Sequence, residues 1–293
     1  VLAASTGLIG SRLRADAIER ALPRLRLSAS RAAARRAASA ILTTDTRTKE
    51  AAVSVDLGDG RTARIGGMAK GSGMIHPDLA TMLAFVATDA PVDPPLLRRL
   101  LRDAVMLSFN QISVDGDGST NDAVFLLATG AAGGRSLEPD EPATQRFADG
   151  LDAVCRRLAQ QIAADGEGAT RLIEVRVRGA RNDAEARRAA RTVAASSLVK
   201  AAVHGEDPNW GRIAAAAGRS GALLDADRLS VWIGPVQVYA GGPVDFDERR
   251  ATRALRGRTV ELGLDLGLGG GRGEAWGCDL SAEYVAINSE YTT

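Results

Sequence analysis

A glycine-rich turn that carries one lysine and runs into an apolar β-type segment sets the strongest limit on how this chain folds. The stretch reads Gly66-Gly67-Met68-Ala69-Lys70-Gly71-Ser72-Gly73-Met74-Ile75-His76-Pro77-Asp78-Leu79-Ala80-Thr81-Met82-Leu83-Ala84-Phe85-Val86. Glycine lets a backbone turn sharply and come close to a neighbour, and the apolar run that opens on Thr81 asks to be buried as a strand. A hydroxyl residue delivered to the first strand position by a flexible loop is what a threonine nucleophile made by self-cleavage requires. Scission of Ala80–Thr81 would leave Thr81 with a free α-amine. Such an amine titrates near ~7.7–8.0 and can activate a threonine hydroxyl without any histidine. A plain glycine-rich turn feeding a core strand fits the same residues.

Composition narrows the function classes. The 293 residues are 45% hydrophobic, 25% charged and 4% aromatic, as in a globular chain long enough for a substantial core. Lys+Arg number 37 against 36 Asp+Glu, a net charge of +1 that gives no footprint for nucleic acid or an anionic membrane. The arginines at 31–36 and 187–191 are interleaved with alanine at helical spacing and read as solvated helix faces. No apolar run approaches the ~20 residues that span a bilayer. Two cysteines, Cys155 and Cys278, are too few for a disulfide framework and read as reduced packing residues of a cytosolic protein. With only His76 and His204, a histidine-based triad or metal centre has little to draw on.

Along the chain, Val1 to Ala4 reads as a strand end that runs into Ser5-Thr6-Gly7. Backbone amides and the Thr6 hydroxyl there can face a developing oxyanion; a tight turn is the simpler reading. Alternating runs over Ala52 to Leu57 and Thr62 to Ile65, on either side of Gly58-Asp59-Gly60, form a hairpin. Pro94 follows Asp93, a possible cap, at the start of an amphipathic helix with Leu96, Leu97, Leu100, Leu101 and Ala104 on its stripe. Asp115 and Asp117 invite comparison with a calcium loop, but the ligand run is short and lacks the closing glutamate, so a loop that hydrogen-bonds the active centre is expected. Strand Ala123 to Ala128 comes next, then a helix marked by Phe147, Leu151, Val154, Leu158 and Ile162. Glu167 stands between two glycines before the strand of Ile173, Val175 and Val177; alone it reads as a solvated turn residue. Asn182 or Asp183 caps a helix that runs toward Val199, His204 to Arg212 forms a polar loop, and Val260 to Leu268 alternates as a half-buried strand. The closing glycines from Gly269 lack the Gly-Lys-Ser/Thr ending of a phosphate loop, which excludes nucleotide binding.

Six separated segments together carry more than their local signals: Ser5-Thr6-Gly7-Leu8-Ile9-Gly10; Thr43-Thr44-Asp45-Thr46; Lys70-Gly71-Ser72-Gly73-Met74-Ile75 with Ala80-Thr81-Met82-Leu83; Ser108 to Asp117; Asp207-Pro208-Asn209-Trp210-Gly211-Arg212; and Ala275-Trp276-Gly277-Cys278-Asp279-Leu280 through Thr293. In this order the chain resembles the ornithine acetyltransferase family, the bifunctional glutamate N-acetyltransferase/amino-acid acetyltransferase of arginine biosynthesis. The resemblance implies a precursor that cuts itself between Ala80 and Thr81 and uses Thr81 as nucleophile, with Thr6 and Gly7 as the oxyanion-stabilising pair. Thr43, Lys70, Thr81, Glu167, Asn288 and Thr293 match the family's substrate-binding positions, with Thr44 as the rival for Thr43. An amino-acid substrate offers its carboxylate to Lys70 and its ammonium to Glu167.

The expected fold is α/β, with sheets that carry the self-cleaving threonine between helical layers: a catalytic lobe over 1–180 and a smaller lobe over 181–293 that completes the site. The expected reaction is acetyl transfer from N-acetylornithine to glutamate through an acetyl-threonine, with acetyl-CoA as a possible second donor and no bound cofactor or metal. The expected partners are these small molecules and the two cleaved fragments, assembled as a heterotetramer in the cytoplasm, with no nucleic acid or membrane. Two alternatives stand beside it: a threonine amidohydrolase or aminopeptidase with water as acceptor, and an inactive fragment. Family members carry a substantial segment upstream of Ser5-Thr6-Gly7, whereas this chain begins almost at that motif, so an open sheet edge is expected in Val1 to Ala80.

Overall fold

The computed structural model describes residues 2–7, 9–58, 60–76 and 82–290. Leu2 to Ala4 are irregular and exposed rather than the end of a strand, because no ladder partner meets them among the described residues. Helices α1 (Ala15–Ala21) and α2 (Arg31–Ala40) follow, and α2 starts where the Ser30 hydroxyl accepts the Ala33 amide.

The expected hairpin is present as β1 (Lys49–Asp56) and β2 (Thr62–Lys70), antiparallel from Lys49↔Ala69 to Asp56↔Thr62. β2 pairs antiparallel with β3 (Leu83–Thr88), its last residue Lys70 opposite Leu83. The chain then leaves the sheet through α3 (Pro94–Leu107). At its head Asp93 occupies the cap position, but its carboxylate accepts from the Ser136 hydroxyl at 3.0 Å instead of capping the helix. The two-residue strand β4 (Ile112–Ser113) and then β5 (Ala123–Ala128) come next; β5 returns parallel to β3 and completes a sheet in the order β1-β2-β3-β5. Over this sheet lies α4 (Pro142–Ala164), which buries Phe147, Leu151, Val154, Leu158 and Ile162 at helical spacing.

The second sheet, to which β4 already belongs, continues with β6 (Leu172–Ala180). α5 (Asp183–Ala194) is capped by the Asn182 side chain, which accepts the Glu185 amide. The helix expected to run on toward Val199 stops at Ala194 and restarts as α6 (Ser197–His204). The supposed polar loop is cut short by α7 (Trp210–Gly218), whose cap is Asn209. Then come β7 (Ser230–Ile233), β8 (Val236–Ala240), α8 (Glu248–Ala254), β9 (Thr259–Asp265), β10 (Gly271–Cys278) and α9 (Ala282–Glu290). In the order β4-β10-β6-β9-β7-β8, β4 pairs parallel with β10, Ile112 opposite Trp276 and Ser113 opposite Gly277.

The glycines of β10 have a packing explanation. A Cβ on Gly273 would stand 2.4 Å from the Arg187 amide nitrogen, and one on Gly277 would stand 2.7 Å from the Ala194 carbonyl. α5 therefore lies on β10 closer than any side chain permits, and its own contacting face is alanine: Ala186, Ala189, Ala190 and Ala194 are fully buried. Trp276 and Cys278, by contrast, join the core beneath α4, so that helix is the shared layer between the two sheets. The mixed α/β class expected from the sequence is the one the chain adopts. No described helix is long and apolar enough to cross a membrane.

Candidate active site

Lys70 ends β2 with its side chain buried, and the turn Gly71-Ser72-Gly73 begins immediately after it. A charge cannot be left alone there. Asp45, from the Thr43-Thr44-Asp45-Thr46 segment, has its carboxylate 3.8 Å from the Lys70 ammonium. The same carboxylate accepts from Lys49 Nζ at 2.6 Å, from the Gly71 amide at 2.7 Å and from the Thr43 amide at 3.2 Å. Lys49 is completely buried and also donates to Asp165 at the end of α4, at 2.5 Å. Two lysines and two aspartates thus fix the end of β2, the start of β1 and the end of α4 to one another.

Protonation follows from this arrangement. Burial works against the Asp45 charge, but the hydrogen bonds from Lys49 and Gly71 outweigh it and hold the carboxyl below the ordinary value. Lys70 is displaced downward, first by burial and further by Lys49, against the opposing pull of Asp45, Asp122 and Glu167.

The turn after Lys70 is strapped on both sides. The Ser72 hydroxyl donates to the Asp165 carbonyl at 2.7 Å, and the Glu167 amide donates to the Ser72 carbonyl at 3.0 Å. Those bonds draw the Glu167 carboxylate over Gly73, where a Cβ would come within 2.6 Å of it. Glu167 also accepts from the Asn288 side chain of α9 at 3.0 Å. On the other side Asp115 accepts the amides of Met74 and Ile75 at 2.6 and 3.0 Å, and so supports Met74 at a φ of 53°. Asp115 therefore serves the loop by hydrogen bonding, as its sequence suggested. His76 Nδ1 stands 3.0 Å from the Ser113 hydroxyl.

Of the residues singled out in the sequence, Lys70, Glu167 and Asn288 are brought together at this turn. Thr43 is exposed and Thr44 half-buried; Thr43 joins the cluster through its amide rather than its hydroxyl. Thr6 is half-buried and Gly7 exposed, and among the described residues no hydrogen bond ties either to Lys70, Glu167 or Asn288. Ala80, Thr81 and Thr293 lie outside the described residues.

Four residues escaped the sequence reading: Asp45 and Lys49, Asp165, and Asp122. Asp122 is the residue that meets the start of β3. Its Oδ1 accepts the Met82 amide in a short hydrogen bond, while the next residue, Ala123, donates its amide to the Met82 carbonyl at 3.0 Å. Burial pushes the Asp122 carboxyl up to about 7, against the Met82 amide and the Lys70 charge, which both favour the anion. The only signals in the sequence were an aspartate inside a motif already noted for its threonines and another between Asp117 and the strand that opens on Ala123.

The whole chain, residues 1–293, matches the model of the ArgJ family. The arginine biosynthesis bifunctional protein ArgJ of Synechococcus sp. is 51% identical over 303 residues, which cover 100% of this chain and 73% of that protein. The Symbiobacterium thermophilum protein of the same name is 52% identical over 291 residues, 99% of this chain and 72% of its own length. The chloroplastic protein of Sorghum bicolor is 52% identical, and the chain spans 65% of its length. Among solved structures, the arginine biosynthesis bifunctional protein ArgJ of Bacillus halodurans superposes with a TM-score of 0.69 at 44% identity, over 71% of this chain and 98% of that one.

Proposed function

The chain belongs to the ArgJ family of arginine-biosynthetic enzymes, and on that premise we propose that it carries the acetyl group of N-acetylornithine to the amine of glutamate through an ester on Thr81. The observation that carries this reading is a buried Lys70 that feels the charge of Glu167, itself held 3.0 Å from Asn288, at the turn that follows β2. A cation and an anion at one turn suit the carboxylate and ammonium of an amino acid, and both donor and acceptor are amino acids.

Scission of Ala80–Thr81 exposes the α-amine. That amine takes the Thr81 hydroxyl proton as Oγ bonds to the acetyl carbon, and the proton passes to the departing ornithine nitrogen as the C–N bond breaks. The glutamate amine then attacks the ester and restores the hydroxyl. Thr6 and Gly7 are assigned to the oxyanion, and Thr43 and Thr293 to the substrate along with Lys70, Glu167 and Asn288. Acetyl-CoA is assigned as a second acetyl donor to the same threonine, with no resident cofactor.

The cut leaves the two fragments paired. β1 and β2 lie before it and β3 and β5 after it, so the ladder from Ile65↔Thr88 to Lys70↔Leu83 would join separate chains across one sheet. A heterotetramer is two such pairs. The Bacillus halodurans chain, matched over 98% of its length but over only 71% of this one, fits a protein present as two chains, since Thr81 to Thr293 makes up a similar share of this sequence. The two free, buried cysteines fit a reducing compartment, here assigned as the cytoplasm.

Intact-mass measurement of the expressed chain tests the reading. Two fragments split at Ala80–Thr81, and an acetyl adduct on the larger after incubation with N-acetylornithine, are expected. Thr81→Ala should remain one chain and transfer nothing. Transfer at the parental rate by that variant would refute the assignment, and release of acetate without N-acetylglutamate would make the enzyme a hydrolase.

A further inference from the structure

We infer that Asp122 is the positioning residue of the acyl-transfer centre: it holds the backbone just after Thr81 through the Met82 amide and keeps its second carboxylate oxygen for the α-amino group that scission exposes. This rests on Thr81 being the nucleophile, as proposed above.

Three observations converge on it. First, both polar groups of Met82 are held by adjacent residues of one segment, the amide by Asp122 Oδ1 and the carbonyl by the Ala123 amide at 3.0 Å. An ordinary ladder would need only the second bond. The first is an added restraint at the one position whose nitrogen is covalently bonded to the carbonyl carbon of residue 81.

Second, Asp122 Oδ2 is buried and has no hydrogen-bond partner among the described residues. A carboxylate oxygen accepts readily, and one left unpaired away from water is costly. An orphan of this kind calls for an explanation, and a group that appears only after scission supplies one. Covalent geometry names one: the α-nitrogen of residue 81 is three bonds from the Met82 nitrogen, about 3–3.6 Å along the chain. A carboxylate bonded to the second nitrogen is within reach of the first. Before scission that nitrogen is a peptide amide; afterwards it is an amine that carries up to three protons and needs an acceptor.

Third, the electrostatic surroundings favour a carboxyl that changes charge during turnover. Lys70 on β2 is the charged group that acts on Asp122, and Lys70 in turn faces Asp45 on the preceding turn, Lys49 on β1 and Glu167 after α4. Burial has already moved the Asp122 carboxyl to about 7, next to the range of an α-amine. An ammonium formed when Thr81 gives up its hydroxyl proton would be stabilised by the Asp122 anion, and no proton need leave the site until the leaving amine takes it.

Asp122→Asn separates this role from a structural one, because the amide oxygen can still accept from Met82 while its nitrogen cannot accept from an amine. In the full self-cleaved protein, D122N is expected to be cut as the parent is and to keep KM for N-acetylornithine within about twofold. Its kcat should fall ~10²-fold, the low end for a positioned proton-transfer group, and the kcat inflection of the α-amine should move to lower pH, because the anion that favours its charged form is gone. Asp122→Glu restores a carboxylate and should return the inflection toward the parental pH with part of kcat; a D122E that leaves it displaced overturns the inference even if D122N does not fold. Parental kcat and pH profile in D122N, or a folded D122N that is not cut, also overturn it, the latter because the role would then precede the amine. Thr81→Ala run in parallel keeps the two readings apart. Transfer by T81A refutes the threonine itself, whereas an inactive T81A beside a parental D122N removes only Asp122.

Discussion

Charged pairs occur on both sheets, and they teach opposite lessons. At the end of the first sheet Lys49 and Asp45 have fully buried side chains, Asp165 is 4% exposed, and their contacts are 2.6 and 2.5 Å. On the open face of the second, Arg176 meets Glu261 at 3.2 Å with both side chains more than half exposed, and Arg178 meets Asp265 at 2.8 Å. The distances overlap, but the environments do not. Water and salt screen the second set, and such pairs contribute little. The first set has lost its water, so each charge depends on its partners and on the amides of Gly71, Thr43 and Thr46. That dependence is costly, and it lies where Lys70 must be held.

Breaking the buried set should give the largest effect. Lys49→Ala leaves Asp45 and Asp165 without their shared cation, and loss of one partner of a buried pair costs about 3–5 kcal/mol. Urea unfolding of the folded protein should show a midpoint lowered by that loss divided by the denaturant slope. The same variant should raise KM for N-acetylornithine, since Asp45 is then free to draw Lys70 toward itself. A loss below ~1 kcal/mol would put Lys49 in the same class as the surface arginines and erase the contrast.

The second test is acid. The folded Asp45 carboxyl lies below its ordinary value, because the Lys49 and Gly71 hydrogen bonds overcome burial. Its contribution to stability is therefore complete above the ordinary carboxylate range and is lost as pH falls through the lower folded value. Asp122 has the opposite sign. Its folded value, raised to about 7, means that stability present below the ordinary range is lost as pH rises toward neutrality. Urea midpoints measured across this range should thus fall in acid for the parent and less steeply for Asp45→Asn, while Asp122→Asn should flatten the limb that descends toward pH 7. Parallel profiles for all three proteins would show that neither carboxyl is coupled to folding.

These contrasts also mark how far the sequence could be read. The hairpin around Gly58 to Gly60, the stripe from Phe147 to Ile162 and the alternation from Val260 to Leu266 are local periodicities, and the structure keeps all three. The start of α7 reads as part of a polar loop because Trp210-Gly211-Arg212-Ile213-Ala214-Ala215-Ala216-Ala217 offers too little apolar contrast to show a face, and β10 is hidden because six of the eleven residues from Gly267 to Gly277 around its start are glycine. Their structure is imposed by packing: Trp210 lies against Tyr239 with ring centres 4.8 Å apart, and β10 is shaped by α5. At the site, Lys70, Glu167 and Asn288 entered through motif resemblance. Lys49 and Asp165 are 116 residues apart, and no spacing rule joins them. A buried charge is visible only when its partner is placed beside it.

The smallest expected effect is the most direct check on the comparison. Arg176 touches Glu174 and Glu261 at 3.2 Å and Glu274 at 3.8 Å, so Arg176→Ala leaves three carboxylates facing one another. Counting contacts would make this a severe loss. Exposure argues otherwise: the pairs are screened, and the variant should cost no more than about 1 kcal/mol at neutral pH. The sign of its pH dependence can also be fixed. Glu174 is already raised, by burial first and then by Glu261 and Glu274, while Arg176 pulls it down. Removing the arginine raises Glu174 further, so stability held below the ordinary carboxylate range is lost more steeply as pH rises. The gap between parent and R176A should therefore be widest at neutral pH, close in mild acid and shrink in high salt. A loss as large as that for Lys49, unchanged by salt, would mean that this face is covered in the assembled protein and that its charges, too, are buried.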